Sequence, residues 1–172
     1  ALEAGVVVIP QEMRVVPGQT VAENVLLGHV PVRRRFGILP ETDRAEMHRR
    51  ARNLLARLNL EVDPDTLAGS LGYAERQLVM IARALGRDAR ILVLDEPTAS
   101  LETREVERLF EMIDSLKAEG VGLVYVSHRL DEVERIADRV TVLRDGAKVG
   151  SGLRGEFSQQ DMIRMMTGRN LE

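Results

Sequence analysis

The stretch Ile91-Leu92-Val93-Leu94-Asp95-Glu96-Pro97-Thr98 sets two adjacent carboxylates at the end of a purely aliphatic run. Four branched apolar residues in a row suit a strand buried on both faces, as in a parallel sheet with helices on either side. The acids then fall at its carboxyl end. In open α/β sheets ligands bind at that edge, so a reachable acid pair there points to metal and phosphate chemistry. Pro97 stops the ladder and fixes the chain's exit. A strand that happens to end in a charged turn would share any short piece of this pattern, but not the whole run through Ala99 and Ser100.

Outward from this run, strand and helix alternate. Val6 to Ile9 reads as a short buried strand that runs into a loop at Pro10 and Gln11. From Thr42 the pattern turns helical: Asp43 and Glu46 have capping-box spacing, and Ala51, Leu54, Leu55 and Leu58 share a face. Asp63-Pro64-Asp65 breaks that helix. A second is expected from Glu75 to Leu85, with Leu78, Ile81, Ala82 and Leu85 inward and Gly86 closing it. Glu102 to Glu119 reads as a third, burying Val106, Leu109, Phe110, Ile113 and Leu116, with Gly120 as its C-cap glycine. Val121 to Val126 is strand-like, and a helix from Leu130 to Ala137 follows. Strands at Val140 to Leu143 and Lys148 to Val149 flank Asp145-Gly146, a hairpin signal, and Ser158 to Thr167 reads as a helix. The stretch from about Val25 to Leu85 is expected to be mostly helical.

Composition adds bounds. A chain of 172 residues, 44% hydrophobic and 30% charged, suits one soluble α/β domain with a proper core. Its net charge of −3 gives no electrostatic case for nucleic acid. It has no cysteine, which excludes disulfides and thiolate metal sites. The apolar run at Val6 to Ile9 is too short to span a bilayer, so a cytoplasmic location is expected. Lys117 and Lys148 are the only lysines.

In their order and spacing, five short motifs resemble those of the ATP-binding-cassette ATPases, the nucleotide-driven motors of transporters. Gln11, within Val8-Ile9-Pro10-Gln11-Glu12, matches the Q-loop; Leu71 to Leu85 matches the signature motif with its helix; Ile91 to Glu96 matches the Walker B strand. Ala99-Ser100-Leu101-Glu102 matches the D-loop and Ser127-His128 the switch histidine. Each alone is weak, whereas all five in order are specific. The resemblance implies an α/β, P-loop NTPase-like core with a mainly parallel sheet. Within a single cassette domain of residues 1–172 it implies an inserted helical subdomain at 25–87, followed by the Walker B, D-loop and switch-histidine part at 88–172.

It also implies roles. Phosphoryl transfer to water asks a protein to position the water, hold Mg²⁺ and neutralise charge. By resemblance Asp95 holds Mg²⁺, largely through water, and Glu96 orients or deprotonates the attacking water. His128 contacts the γ-phosphate, and Gln11 touches metal or water and senses a partner surface. Leu71, Gly72, Tyr73, Ala74 and Glu75 face the ATP of an opposing cassette, with Ser100 and Leu101 in the D-loop. The implied cofactors are ATP and Mg²⁺.

Two departures stand out. No Gly-rich loop ending in Gly-Lys-Ser or Gly-Lys-Thr is present to cradle phosphates. This is expected to be the carboxyl-side part of a domain whose first, Walker A segment is missing, with little ATP binding or turnover on its own. The signature, moreover, has Gly72 where the family has serine and Ala74 where it has glycine. Ser70 substitutes only if the loop shifts by two residues. The composite site built with this signature is therefore expected to hydrolyse ATP poorly.

Gln11-Glu12 with Val21 to Gly28, and Tyr125 to Leu130 with Asp138 to Gly146, resemble the first cassette of bacterial importers for ribose, galactose and xylose. So does the closing Met162 to Arg169. The implied partners are a second cassette, fused or dimeric, transmembrane permease subunits and, indirectly, a sugar-binding protein; the implied place is the inner face of the cell membrane. Arg33-Arg34-Arg35 is either a docking patch or a solvated charge run, and Tyr73 either meets the partner cassette or fills space. The alternatives are a non-catalytic or regulatory cassette that acts as an interaction module, and a cassette ATPase outside transport.

Overall fold

The computed structural model describes residues 4–11, 15–35 and 39–168. Glu12, beside Gln11, and Arg169 lie outside them, as does the side chain of Arg35. The chain divides into two compact units, Ala1–Val124 and Tyr125–Glu172.

In the first unit the aliphatic runs pair. Strand β1 (Val6–Ile9) lies parallel to β4 (Ile91–Asp95), with Val6 opposite Ile91 and Ile9 opposite Leu94, in a sheet of order β1-β4-β5. Strand β5 covers Gly122–Val126, and its Gly122 N–H donates to the Arg90 carbonyl at 2.8 Å. One expectation is corrected: β4 is not buried on both faces. Leu92 and Leu94 are fully buried, but on the opposite face Ile91 is 37% exposed and Val8 of β1 is 56% exposed. The period-two pleat separates the two sets, and the described elements cover only the Leu92–Leu94 side.

Between β1 and β4 lies a helical layer in which α1 (Val21–Val25), α2 (Arg44–Arg57) and α3 (Tyr73–Leu85) pack on one another. Helix α1 was not expected, although Thr20 and Glu23 signal it. The Thr20 hydroxyl accepts from the Glu23 N–H at 3.2 Å, and the Glu23 carboxylate accepts from the Thr20 N–H at 2.8 Å. In α2 only half of the expected box forms. Asp43 caps the Glu46 N–H, whereas the Glu46 carboxylate turns to Arg49 and Arg50.

This mainly helical stretch also holds an antiparallel hairpin of β2 (Val32–Arg35) and β3 (Leu39–Thr42), which the sequence pattern did not signal. Arg33, in the basic run, pairs with Glu41 across it at 3.4 Å, both side chains exposed. Pro40 is tolerated because this ribbon has only two strands, each an edge.

Helix α3 starts at Tyr73 and buries Gln77, Val79, Ile81, Ala82, Ala84 and Leu85. Gly86 caps it in ordinary right-handed backbone, so the left-handed closure implied by a glycine is absent. Space explains the residue: a Cβ there would lie 2.9 Å from Leu54 Cδ1 and 3.0 Å from His29 Nε2. Helix α4 (Thr103–Ala118) buries the five expected residues and Met112, and Gly120 follows with φ +84°.

The second unit holds α5 (Leu130–Ile136), the antiparallel pair β6 (Arg139–Arg144) and β7 (Ala147–Leu153), and α6 (Gln159–Thr167) packed on β6. Asp145 (φ 52°) and Gly146 (φ 75°) form the turn, both left-handed as a two-residue hairpin demands. Ser158 caps α6 in a box with Asp161. No helix among the described residues is long and apolar enough to cross a membrane.

Candidate functional site

Strand β4 delivers Asp95 exposed at its carboxyl end, and Glu96 follows half-buried. Glu96 sits in left-handed backbone, φ +44°, which costs a residue with a Cβ roughly 1 to 2 kcal/mol. Such strain persists where the surroundings over-determine it, and it gathers at functional sites. Here Pro97 and Thr98 are buried directly behind it. The turn is closed by Ala99 N–H to Glu96 carbonyl at 3.3 Å and Leu101 N–H to Thr98 carbonyl at 3.1 Å. These bonds carry the chain past exposed Ser100 and half-buried Leu101 into α4.

Because Ile9 pairs with Leu94, β1 and β4 end level. Gln11 therefore leaves the sheet at the edge that carries Asp95 and Glu96. The Tyr73 hydroxyl donates to the Gln11 carbonyl at 3.3 Å, which brings the start of α3 to the same strand end. Tyr73 thus bonds within its own chain, a partner that its sequence position did not reveal.

The signature-like segment is set by helix capping. Leu71 is buried; Gly72, extended at φ −65° and ψ 169°, is the N-cap of α3. Glu75 accepts from the Gly72 N–H at 2.8 Å, so its carboxylate serves the helix start. Ala74 is half-buried in the first turn. The Ser70 hydroxyl donates to the Leu67 carbonyl at 2.8 Å and is not presented in place of Gly72.

Asp95 is a hard, exposed oxygen donor at a strand end. That fits Mg²⁺, which takes one or two carboxylates and keeps several waters. No group of three or more histidines and carboxylates that could hold a metal occurs among the described residues. For ATP the fit is partial. Lys117 lies late in α4 and Lys148 in β7, so this chain's residues supply the acids and not a phosphate-cradling lysine loop.

His128 belongs to the second unit and is exposed. A group absent from the sequence reading holds residues on either side of it: Glu132, a carboxylate only 2% exposed. It accepts from the Tyr125 hydroxyl at 2.7 Å and the Ser127 hydroxyl at 3.2 Å, and pairs with the Arg129 guanidinium at 3.1 Å. Nothing in the local pattern Leu130-Asp131-Glu132 distinguishes one acid of a helix's first turn as buried.

The family described as ABC transporter matches residues 1–99. A ribose import ATP-binding protein, RbsA 1 of Rubrobacter xylanophilus, is 50% identical over 172 residues, which cover 100% of this chain and 33% of that protein. The RbsA 1 protein of Rhizobium meliloti is 46% identical over 169 residues, 98% of this chain and 33% of its own length. The chain thus spans about a third of the curated relatives it matches. Among solved structures, the ADP conformation of MJ1267, an ATP-binding cassette of an ABC transporter, superposes with a TM-score of 0.74 at 25% identity, over 96% of this chain and 66% of that one. An inward-facing metal-chelate type ABC transporter gives 0.77 at 21% identity, over 95% and 64%, and supports the fold alone.

Proposed function

This chain belongs to the ABC transporter family, and on that footing we propose that it forms part of a cassette that binds and hydrolyses ATP to drive import of a sugar. The observation that carries this reading is the Asp95-Glu96 pair at the carboxyl end of β4, with Glu96 held in left-handed backbone beside the Gln11 edge. The names of the ribose-import relatives support sugar as cargo.

In hydrolysis a water oxygen bonds to the γ-phosphorus, the bond from that phosphorus to the bridging oxygen breaks, and a proton leaves the water. Glu96 orients the water and takes that proton. Asp95 is the residue that holds Mg²⁺, which supplies neutralisation of phosphate charge when bound. Gln11, tied to Tyr73 through its carbonyl, reports on metal, water and a partner surface. His128 is assigned the γ-phosphate, and Gly72, Ala74, Ser100 and Leu101 the face of an opposing cassette. Residues 25–87 act as the helical subdomain that carries the signature. The partners on this reading are a second cassette, permease subunits and a sugar-binding protein, with the cassette at the inner face of the membrane.

The test is ATP hydrolysis by the intact protein that carries this chain, compared with its Glu96→Gln variant. Loss of about 100-fold or more in kcat with MgATP still bound supports the reading; unchanged kcat rejects it. A second reading, a non-catalytic interaction cassette, is favoured by Gly72 and Ala74 in the signature. Binding of an ATP analogue with Mg²⁺ but no turnover by the intact protein would select it.

A further inference from the structure

We propose that Glu132 is the positioning residue of the His128 loop. The inference rests on the reading of His128 as the γ-phosphate contact and adds how that imidazole is aimed.

The geometry begins with alternation. Tyr125, Ser127 and Arg129 all reach the Glu132 carboxylate. Along β5 residues two apart share a side, so Tyr125 and Val126 face opposite ways; the chain then leaves the strand at Ser127 and bends at His128. Val126 and His128 are exposed. The backbone is fastened as well, because the Arg129 N–H donates to the Ser127 hydroxyl at 3.0 Å. His128 therefore stands at the surface with both sequence neighbours held from beneath by one carboxylate.

A buried carboxylate is costly unless it is paired and hydrogen-bonded, and an apolar side chain of similar volume would avoid the cost. Such a side chain would also lose all three attachments. Glu132 sits in the first turn of α5 and gathers its donors from the end of β5 and the connection that carries His128. What the acid adds over a leucine is a defined course for residues 125–129. Orientation of this kind acts on rate: misplacing a contact group by an ångström costs up to about 100-fold.

The experiment uses the intact protein with four readings: kcat for ATP, KM, equilibrium binding of a non-hydrolysable ATP analogue with Mg²⁺, and amide exchange across residues 125–153. Glu132→Ala is expected to lower kcat by roughly 10- to 100-fold. Analogue affinity should be unchanged, and exchange should quicken at Ser127 to Arg129 but not in the β6–β7 hairpin. Glu132→Gln keeps an acceptor for the two hydroxyls and should recover much of the loss. Unchanged kcat in Glu132→Ala overturns the proposal. So does exchange that quickens equally through β6 and β7, which marks a merely structural acid. If Glu132→Ala does not fold, the double variant Tyr125→Phe, Ser127→Ala removes two of the attachments at little change in volume and is judged by the same readings. His128→Ala separates the two ideas. Full activity in that variant rejects the γ-phosphate role, while local exchange at residues 127–129 in the Glu132 variants still decides whether the acid holds the loop.

Discussion

The Arg83 guanidinium grips Asn24 at two points, its Nε donating to the Asn24 carbonyl at 2.6 Å and its Nη2 to Asn24 Oδ1 at 2.9 Å. Asn24 is fully buried and passes the hold onward: Oδ1 accepts from the Val16 N–H at 2.8 Å, and Nδ2 donates to the Val16 and Thr20 carbonyls at 3.0 Å. Helix α3, which opens with the signature-like segment, is thereby tied to the chain a few residues beyond Gln11. Burial, then the nearby Arg87, lowers the Arg83 pKa, yet a guanidinium remains charged.

Asn24→Ala strips partners from the Val16 amide and from Arg83 in a dry setting. A loss of about 2 to 3 kcal/mol is expected, read as a lower denaturant midpoint with an unchanged slope. Asn24→Asp should also destabilise, because a carboxylate oxygen would replace the Nδ2 donor that faces the Val16 and Thr20 carbonyls.

Both ring nitrogens of His29 are buried without a hydrogen-bond partner among the described residues. Burial, then Arg87, lowers its pKa, so the unfolded chain takes up a proton where the folded one does not. Stability is therefore full above about pH 6.5 and falls as pH drops from there towards the folded value, where the decline stops. Melting temperatures at pH 7.5 and 5.5 should differ, and His29→Gln should flatten the difference. The carboxyls of Glu46, held low by Arg50 and Arg49, and Asp161, held low by Ser158, act elsewhere. Their contributions are present above about pH 4 and are lost only as pH falls below it.

Glu96 occupies left-handed backbone that glycine adopts at no steric cost. Glu96→Gly should leave the melting temperature unchanged or raise it by a few degrees, while hydrolysis by the intact protein is lost. A clear fall in melting temperature would show that the Glu96 side chain contributes more to stability than its backbone strain removes.

At Gly72 a Cβ would lie 3.6 Å from Glu75 Oε2, ordinary contact, and the extended backbone suits a serine N-cap. Gly72→Ser should stabilise α3 by a few tenths of a kcal/mol. Joined with Ala74→Gly in the intact protein, it should raise ATPase activity. No gain would end the idea that the signature limits turnover.

The aliphatic run into Asp95-Glu96, the cap at Asp43, the Asp145-Gly146 turn and the apolar stripe of α4 were legible because each is a short-range pattern with its own period or dihedral demand. That Gln11 and Asp95 leave one sheet edge came only with the β1–β4 register. Tertiary structure alone decided the exposure of Val8 and Ile91, the hairpin hidden in an arginine run, and which polar groups went inside. Asn24 and Arg83 lie 59 residues apart, and Glu132 is chemically no different from Asp131 beside it. Whether a polar side chain is buried depends on donors that arrive from distant segments. A local sequence states the chemistry of each group but not the company it keeps.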